Sequence, residues 1–275
     1  MPPVRLILLP LARAAACLAL LAGPIAGAAA QPQAGLKPLV MAFTDLAPWL
    51  NREGPAFTGA YTEILRELAR RVGRPLEIRD CPVKRCLAML EQGQADLTIG
   101  LKRTPERAAY LDFLHTPYRL AVADRVFLVR TGESAKIGRY EDLLGPRLGV
   151  VGGSSYFSAF DSDARLIKES APSTEANLHK LVLGRIDAVP LPEDQALVLV
   201  RRLKMESQVE PAKYRVQDPT PRSIAIARAS TLATGLLPQL EAAMQAMRRD
   251  GTLAAIYEQH YYKHFGVTRQ QIKVD

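Results

Sequence analysis

A chain of 275 residues, 48% of them hydrophobic, can bury one large core or two moderate ones. Lys and Arg number 36 against 28 Asp and Glu, a formal net charge of +8. The basic residues are dispersed, and without a dense Lys/Arg block interleaved with aromatics the composition argues against a nucleic-acid partner.

Arg5 and Arg13 precede a short apolar stretch, Ala14 to Ala22, followed by Gly23, Pro24 and Ala28-Ala29-Ala30. This pattern predicts a secretory signal over residues 1–30, cleaved before Gln31, with an apolar core too short to span a membrane. A retained anchor is the alternative. Cys17 follows three alanines and is followed by further apolar sequence, so no lipid attachment is expected. Cleavage removes two arginines and no acid, which leaves 34 basic and 28 acidic residues on 245 positions, a net +6.

Residues 39 to 44, Leu-Val-Met-Ala-Phe-Thr, predict a buried first strand, broken by Asp45-Leu-Ala-Pro-Trp49. Open α/β sheets bind ligands beyond the carboxyl ends of their strands, so Asp45 and Trp49 are candidate site residues. As the single Trp, Trp49 could equally belong to the core. After Gly59 a helix presents Ile64, Leu65, Leu68 and Val72 on one face and stops at Gly73. A strand over 76–79 leads to Asp-Cys81-Pro-Val-Lys-Arg-Cys86, where an exported protein favours a disulfide. A buried free thiol at Cys86 is the alternative; the spacing and the lack of a nearby His argue against a metal. A helix near 84–92 follows, with Arg85 near its start, either reaching the pocket or solvated.

The strand 96–101, carrying Gly100, delivers the chain to Thr104-Pro105-Glu106-Arg107, which reads as a helix start: an N-cap side chain, a proline at the first position and an acid at the positive dipole end. Arg107 then falls in the first turn, where the macrodipole opposes a cation by roughly 0.3–1 kcal/mol. Lys102 and Arg103 add like charge upstream. Either an anionic partner or a surface pair with Asp112 would resolve the conflict.

Taken together, Gln92-Gly-Gln-Ala-Asp-Leu-Thr-Ile-Gly-Leu, Arg103-Thr-Pro-Glu-Arg107, Leu111-Asp-Phe and Thr116-Pro-Tyr resemble the bacterial extracellular solute-binding proteins of family 3, periplasmic amino-acid receptors of ABC transporters among them. The resemblance implies a two-lobed α/β fold of the type II periplasmic-binding-protein kind, with the ligand cleft between lobes. It also implies that Arg107 grips a ligand carboxylate and that Trp49 covers the ligand.

An apolar strand over 121–130 resembles that family's first interlobe crossing, and a second lobe is expected from there. Gly152-Gly153-Ser154-Ser155 then predicts a turn into a helix over 156–160, whose orphan amides suit carboxylate oxygens, ordinary capping being the alternative. The resemblance assigns Gly153, Ser154 and Ser155 to the same carboxylate as Arg107. After a helix over 174–184, Gly184-Arg-Ile-Asp-Ala-Val189 matches the family strand that ends in a carboxylate for the ligand's ammonium. The aligned residue here is Pro192, with Glu193 and Asp194 following. Lys102 stands where a small hydroxyl residue is usual, and both departures shift the site toward an anion. A strand over 223–228 recrosses to the first lobe, and helices over 236–249 and 253–262 close the chain. His260 and His264 lie four apart on a polar face, with no third ligand near, so no metal or cofactor is expected.

The resulting expectation is a signal peptide (1–30), a first lobe from 31–129 and 225–275, and a second from 130–224. Its function would be a monomeric periplasmic solute-binding protein that captures a small carboxylate-bearing ligand for an ABC transporter permease or a sensor. Ligand contacts are expected from Arg107, Lys102, Gly100, Asp45, Trp49, Arg85, Gly153, Ser154, Ser155 and Glu193. The rival is an enzyme, because the fold is similar to that of periplasmic cyclohexadienyl dehydratases. Glu193, Asp194 and Asp45 are the carboxylates near the cleft, and none forms a recognisable catalytic constellation.

Overall fold

Leu39–Phe43 is buried at all five positions, so both faces of the strand are covered, as in a parallel sheet flanked by helices. This is β1 of the computed structural model, which describes residues 35–120, 122–270 and 274. The expected signal segment lies outside the described residues. There follow β2 (Asn51–Glu53), β3 (Ala56–Thr58), α1 (Ala60–Arg71), β4 (Leu76–Asp80), α2 (Val83–Glu91), β5 (Leu97–Thr98), α3 (Pro105–Ala108) and β6 (Leu111–Phe113). Next come β7 (Arg125–Arg130), β8 (Arg147–Val151), α4 (Ser158–Ser162), β9 (Ile167–Ala171), α5 (Thr174–Val182), β10 (Val189–Pro192), α6 (Glu193–Arg202) and β11 (Val209–Val216). The chain closes with β12 (Ala225–Ala227), α7 (Thr231–Gly235), α8 (Leu237–Arg249) and α9 (Thr252–Tyr257), which runs on as a π-helical turn, Glu258–Tyr262.

The first sheet has the order β4-β1-β5-β12-β6. β4 and β5 lie parallel to β1, whereas β12, returning from far along the chain, is antiparallel to β5 and β6. Side chains alternate across β1. Leu39, Met41 and Phe43 pack with Ile64, Leu65 and Leu68 of α1 and Met244 and Met247 of α8. Val40 and Ala42 face the other way, against Cys86, Met89 and Leu90 of α2. Asp96 ties this layer together: it accepts from the Val40 amide at 2.7 Å and from Ser230 Oγ, the N-cap of α7, at 2.5 Å.

The second sheet has the order β10-β7-β11, with β8 and β9 paired in parallel beside it and joined to the start of β10 through a Leu148–Ala188 bridge. β7 is buried on both sides, with Val126 and Leu128 toward α5 and α6 and Phe127 and Val129 toward Tyr156 and Phe160. Sequence reading ran the first lobe through residue 129, but the unbroken apolar run of β7 pairs with β10 and β11 of the second sheet. Between the sheets, Arg119 and Arg222 meet as an isolated antiparallel bridge. The two connecting segments therefore run side by side.

Candidate functional site

The helix start at Thr104 forms as its sequence dictates. Thr104 Oγ1 accepts from the Arg107 amide at 3.3 Å, Pro105 opens α3, and Arg107 falls in the first turn. Arg107 is only 6% exposed, although a guanidinium is costly to bury. It donates to the carbonyls of Lys102 at 2.7 Å and Gly153 at 3.0 Å. The alternative partner, Asp112, pairs with Arg228 at 2.9 Å instead. Among the described residues no carboxylate lies within ion-pair distance of Arg107. Burial pushes its pKa down, and Tyr110, Asp161 and Glu106 offset only part of that.

Gly153 approaches from the second sheet's side. Its φ of +86° favours glycine, and a Cβ there would meet Lys84 Cγ at 2.9 Å and Val83 Cγ1 at 3.1 Å. Only a glycine lets this loop rest on the start of α2. The expected helix over 156–160 begins later, at Ser158, because Asp161 draws the preceding residues into a loop. Its carboxylate accepts from Ser155 Oγ at 2.7 Å and from the Tyr156 amide at 3.0 and 2.9 Å. Ser154 and Ser155 thus border the site from a loop, and part of their donor capacity is spent on a carboxylate of the chain itself.

These elements enclose a cavity of about 140 Å³. Of the residues the sequence singled out, Asp45, Trp49, Gly100, Lys102, Arg107, Ser154 and Ser155 line it. Gly100, at φ +91°, has room for no Cβ, which would sit 2.8 Å from Leu46 Cδ2. Lys102 Nζ donates to the Tyr156 carbonyl at 3.1 Å and stands 3.5 Å from Asp218. Three candidates do not line it, and of these Gly153 stays beside the site through its carbonyl bond to Arg107. Arg85 is exposed on α2, whose Val83 supplies the wall instead. Glu193 pairs with Arg215 at 2.7 Å on the exposed side of α6. Trp49 lines the cavity as part of a packed wall: it is 3% exposed, with ring centroids 3.8 Å from Tyr261 and 5.1 Å from Tyr61. Gly59 sets that position, since a Cβ there would meet the Trp49 carbonyl oxygen at 2.4 Å.

Several cavity residues escaped sequence reading. Arg119 lies with its guanidinium carbon 4.6 Å from the Trp49 ring and pairs with Asp194, both nearly fully buried. Burial opposes the Arg119 charge, but Asp194 and the nearby tyrosines hold the guanidinium well above its ordinary pKa. Arg222 pairs with Asp218 at 2.6 Å. Gln195, also buried, donates from Nε2 to the Ala47 carbonyl at 2.5 Å, joining α6 to the loop after β1. Arg125, 7% exposed, stacks over the Tyr156 ring at 5.2 Å. The unusual run of charge flanking Tyr118 and β7 was the available signal. Behind the site, Cys81 and Cys86 form a disulfide with Cα atoms 5.4 Å apart, joining the end of β4 to α2.

A family model for bacterial extracellular solute-binding proteins, family 3, matches residues 40–263. The chain belongs to that family. The family 3 resemblance read from residues 92–118 therefore holds across most of the chain. A curated relative, the arginine-binding extracellular protein ArtP of Bacillus subtilis (strain 168), is 29% identical over 124 residues. That match spans 44% of this chain and 47% of the relative, about half its length. An ancestral arginine-binding protein bound to arginine superimposes with a TM-score of 0.71 at 24% identity, covering 82% of this chain and 98% of that one. The amino acid ABC transporter substrate-binding protein AbpA of Streptococcus pneumoniae Canada MDR_19A, bound to L-arginine, gives 0.70 at 23% identity, covering 83% and 95%. These likenesses establish the two-lobed type II periplasmic-binding-protein fold.

Proposed function

We propose that this family 3 protein captures a small carboxylate-bearing solute between its lobes and presents the closed form to a membrane transporter permease or a sensor. The lobe division we adopt puts β1 to β6 with β12 and the C-terminal helices on one side, β7 to β11 on the other, and connecting segments at 119–124 and 217–224. Family membership supports an extracellular site of action, and the sequence at 1–30 supports export to the periplasm.

Arg107 carries the reading. It is a buried guanidinium without a carboxylate partner among the described residues, and it reaches one carbonyl on each side of the cleft. A ligand carboxylate beside it would form charge-assisted bonds available only when the lobes meet, and so would stabilise closure. The wall where an ammonium partner was expected is Pro190, Leu191 and Pro192. Asp194, next along, is engaged by Arg119. An arginine ligand, as in the solved relatives, would bring a further positive charge to a cavity already lined by Lys102, Arg119, Arg125 and Arg222. The preferred solute is therefore a carboxylate rather than a simple α-amino acid. Binding is favoured over catalysis because Asp194 and Asp218 are held in ion pairs, Glu193 pairs with Arg215 outside the cavity lining, and Asp45, the carboxylate that does line it, stands exposed at the rim.

Calorimetry of matched α-amino acids and their deaminated analogues tests this. A charge-assisted bond contributes roughly 1.5–3 kcal/mol, so Arg107→Ala should weaken carboxylate binding about tenfold to more than a hundredfold, with only partial recovery in Arg107→Lys. Unchanged affinity in Arg107→Ala would remove the clamp, and preference for the amino acid would remove the ligand assignment.

A further inference from the structure

Five cationic side chains line the cavity: Lys102, Arg107, Arg119, Arg125 and Arg222. Two carboxylates pair with them, Asp194 behind Arg119 and Asp218 between Arg222 and Lys102, while Asp45 stands at the exposed rim. Among the described residues, the two cations with no carboxylate partner are Arg107 and Arg125.

Arg125 is the less expected of the two. It is 93% removed from solvent, since its exposure is 7%, and among the described residues its side chain forms no ion pair and no hydrogen bond. Its guanidinium carbon lies 5.2 Å from the centroid of the Tyr156 ring, a cation–π interaction that offsets only part of the cost of burial. Burial accordingly pushes its pKa down, with Asp218 offsetting part. A buried guanidinium that lines a cavity and has no hydrogen-bond or ion-pair partner among the described residues is organised for a partner brought in from outside.

The two arginines come from different sides of the cleft. Arg107 belongs to α3 beside the first sheet and Arg125 to β7 of the second. Both abut the same loop, Arg107 at the Gly153 carbonyl and Arg125 at the Tyr156 ring. We propose that the solute is an organic dianion, a small dicarboxylate without an ammonium group, with one carboxylate on Arg107 and the second on Arg125. This rests on the carboxylate-capture reading and adds to it a second anion site. Each carboxylate meets one of the two guanidiniums that lack a carboxylate partner among the described residues, and the ligand bridges the lobes through both of its ends.

The test is isothermal calorimetry on the purified chain with succinate, glutarate and adipate, each against its monoamide, in wild type, Arg125→Gln and Arg107→Ala. The best dicarboxylate should bind wild type at least about tenfold more tightly than its monoamide. Arg125→Gln should reduce that ratio to about one while leaving the monoamide within about threefold. Equal affinity of dicarboxylate and monoamide in wild type would overturn the dianion site, as would equal weakening of both ligands in Arg125→Gln. The wild-type comparison needs no variant, so it decides even if Arg125→Gln fails to fold. If Arg107→Ala leaves every affinity unchanged, the capture reading falls by itself. Binding of no member of the series overturns both.

Discussion

Arg119 and Asp194 form an ion pair whose side chains are 3% and 1% exposed, between a connecting segment and the first turn of α6. The Trp49 ring lies over the guanidinium, and the adjacent Gln195 bonds to the loop that carries Trp49. The pair thus couples the joint between the lobes to the wall of the cavity. Removing one member would strand a buried charge. We expect Asp194→Asn to destabilise the protein by about 3 kcal/mol in urea denaturation, and Arg119→Met combined with Asp194→Leu to recover much of that loss, since apolar replacement of a whole buried pair is often neutral. A single variant within about 0.5 kcal/mol of wild type would contradict this.

Trp49 should report solute binding by fluorescence. It is the single Trp, it lines the cavity, and it is held between Tyr61 and Tyr261. Because the ring is buried, the emission maximum should stand at short wavelength before and after ligand, with a change in intensity on binding. A ligand established by calorimetry that leaves the intensity unchanged would show that the Trp49 face is not contacted.

The Cys81–Cys86 disulfide closes a short loop, so chain entropy ascribes only about 2 kcal/mol to it. Peptide mapping without reduction should recover the two cysteines as one linked species from exported protein. Cys81→Ala with Cys86→Ala should lower the urea midpoint modestly while leaving solute affinity unchanged, since neither residue lines the cavity.

Asp187 supplies a pH signature. Bonds from the Arg147 side chain outweigh burial, which raises its pKa, and with the Arg147 amide and Arg130 hold its carboxyl at about 2, below the ordinary value near 3.8. The unfolded carboxyl binds protons more readily, so stability rises with pH through this window. The contribution is fully present above about pH 4 and is lost as pH falls through 2. With partial exposure and solvent screening it should amount to about 1 kcal/mol. In urea titrations between pH 2 and 5, Asp187→Asn should flatten that part of the curve; an unchanged slope would assign the acid sensitivity elsewhere.

The sheet that positions the site was legible because β1 is apolar without interruption and because Thr104, Pro105 and Glu106 carry their structural meaning locally. The cationic character of the cavity was only partly legible. Lys102 and Arg107 stand out against a helix start, but Arg119, Arg125 and Arg222 flank apolar strands and look like solvated ends of them. Their burial depends on the second sheet folding toward the first, a relation between segments about a hundred residues apart. Trp49 could be placed in its loop but not in its role, since the aromatic partner at 3.8 Å, Tyr261, comes from the far end of the chain. The helix expected at 156–160 starts two residues late for a reason visible only in three dimensions: Asp161 reaches back to Ser155 and Tyr156.

That backward reach decides how recognition is divided between folding and binding. A glycine-rich loop would ordinarily sample many conformations in the free protein, and a ligand would have to forfeit part of its affinity to immobilise it. Here Asp161 fastens Ser155 and Tyr156, and Tyr156 Oη in turn accepts from the Val151 amide at 2.7 Å. The loop's conformational entropy is surrendered when the chain folds. On the proposed reading, a solute arriving at Arg107 would meet a preorganised rim, and the remaining freedom to be lost would be that of one lobe swinging against the other.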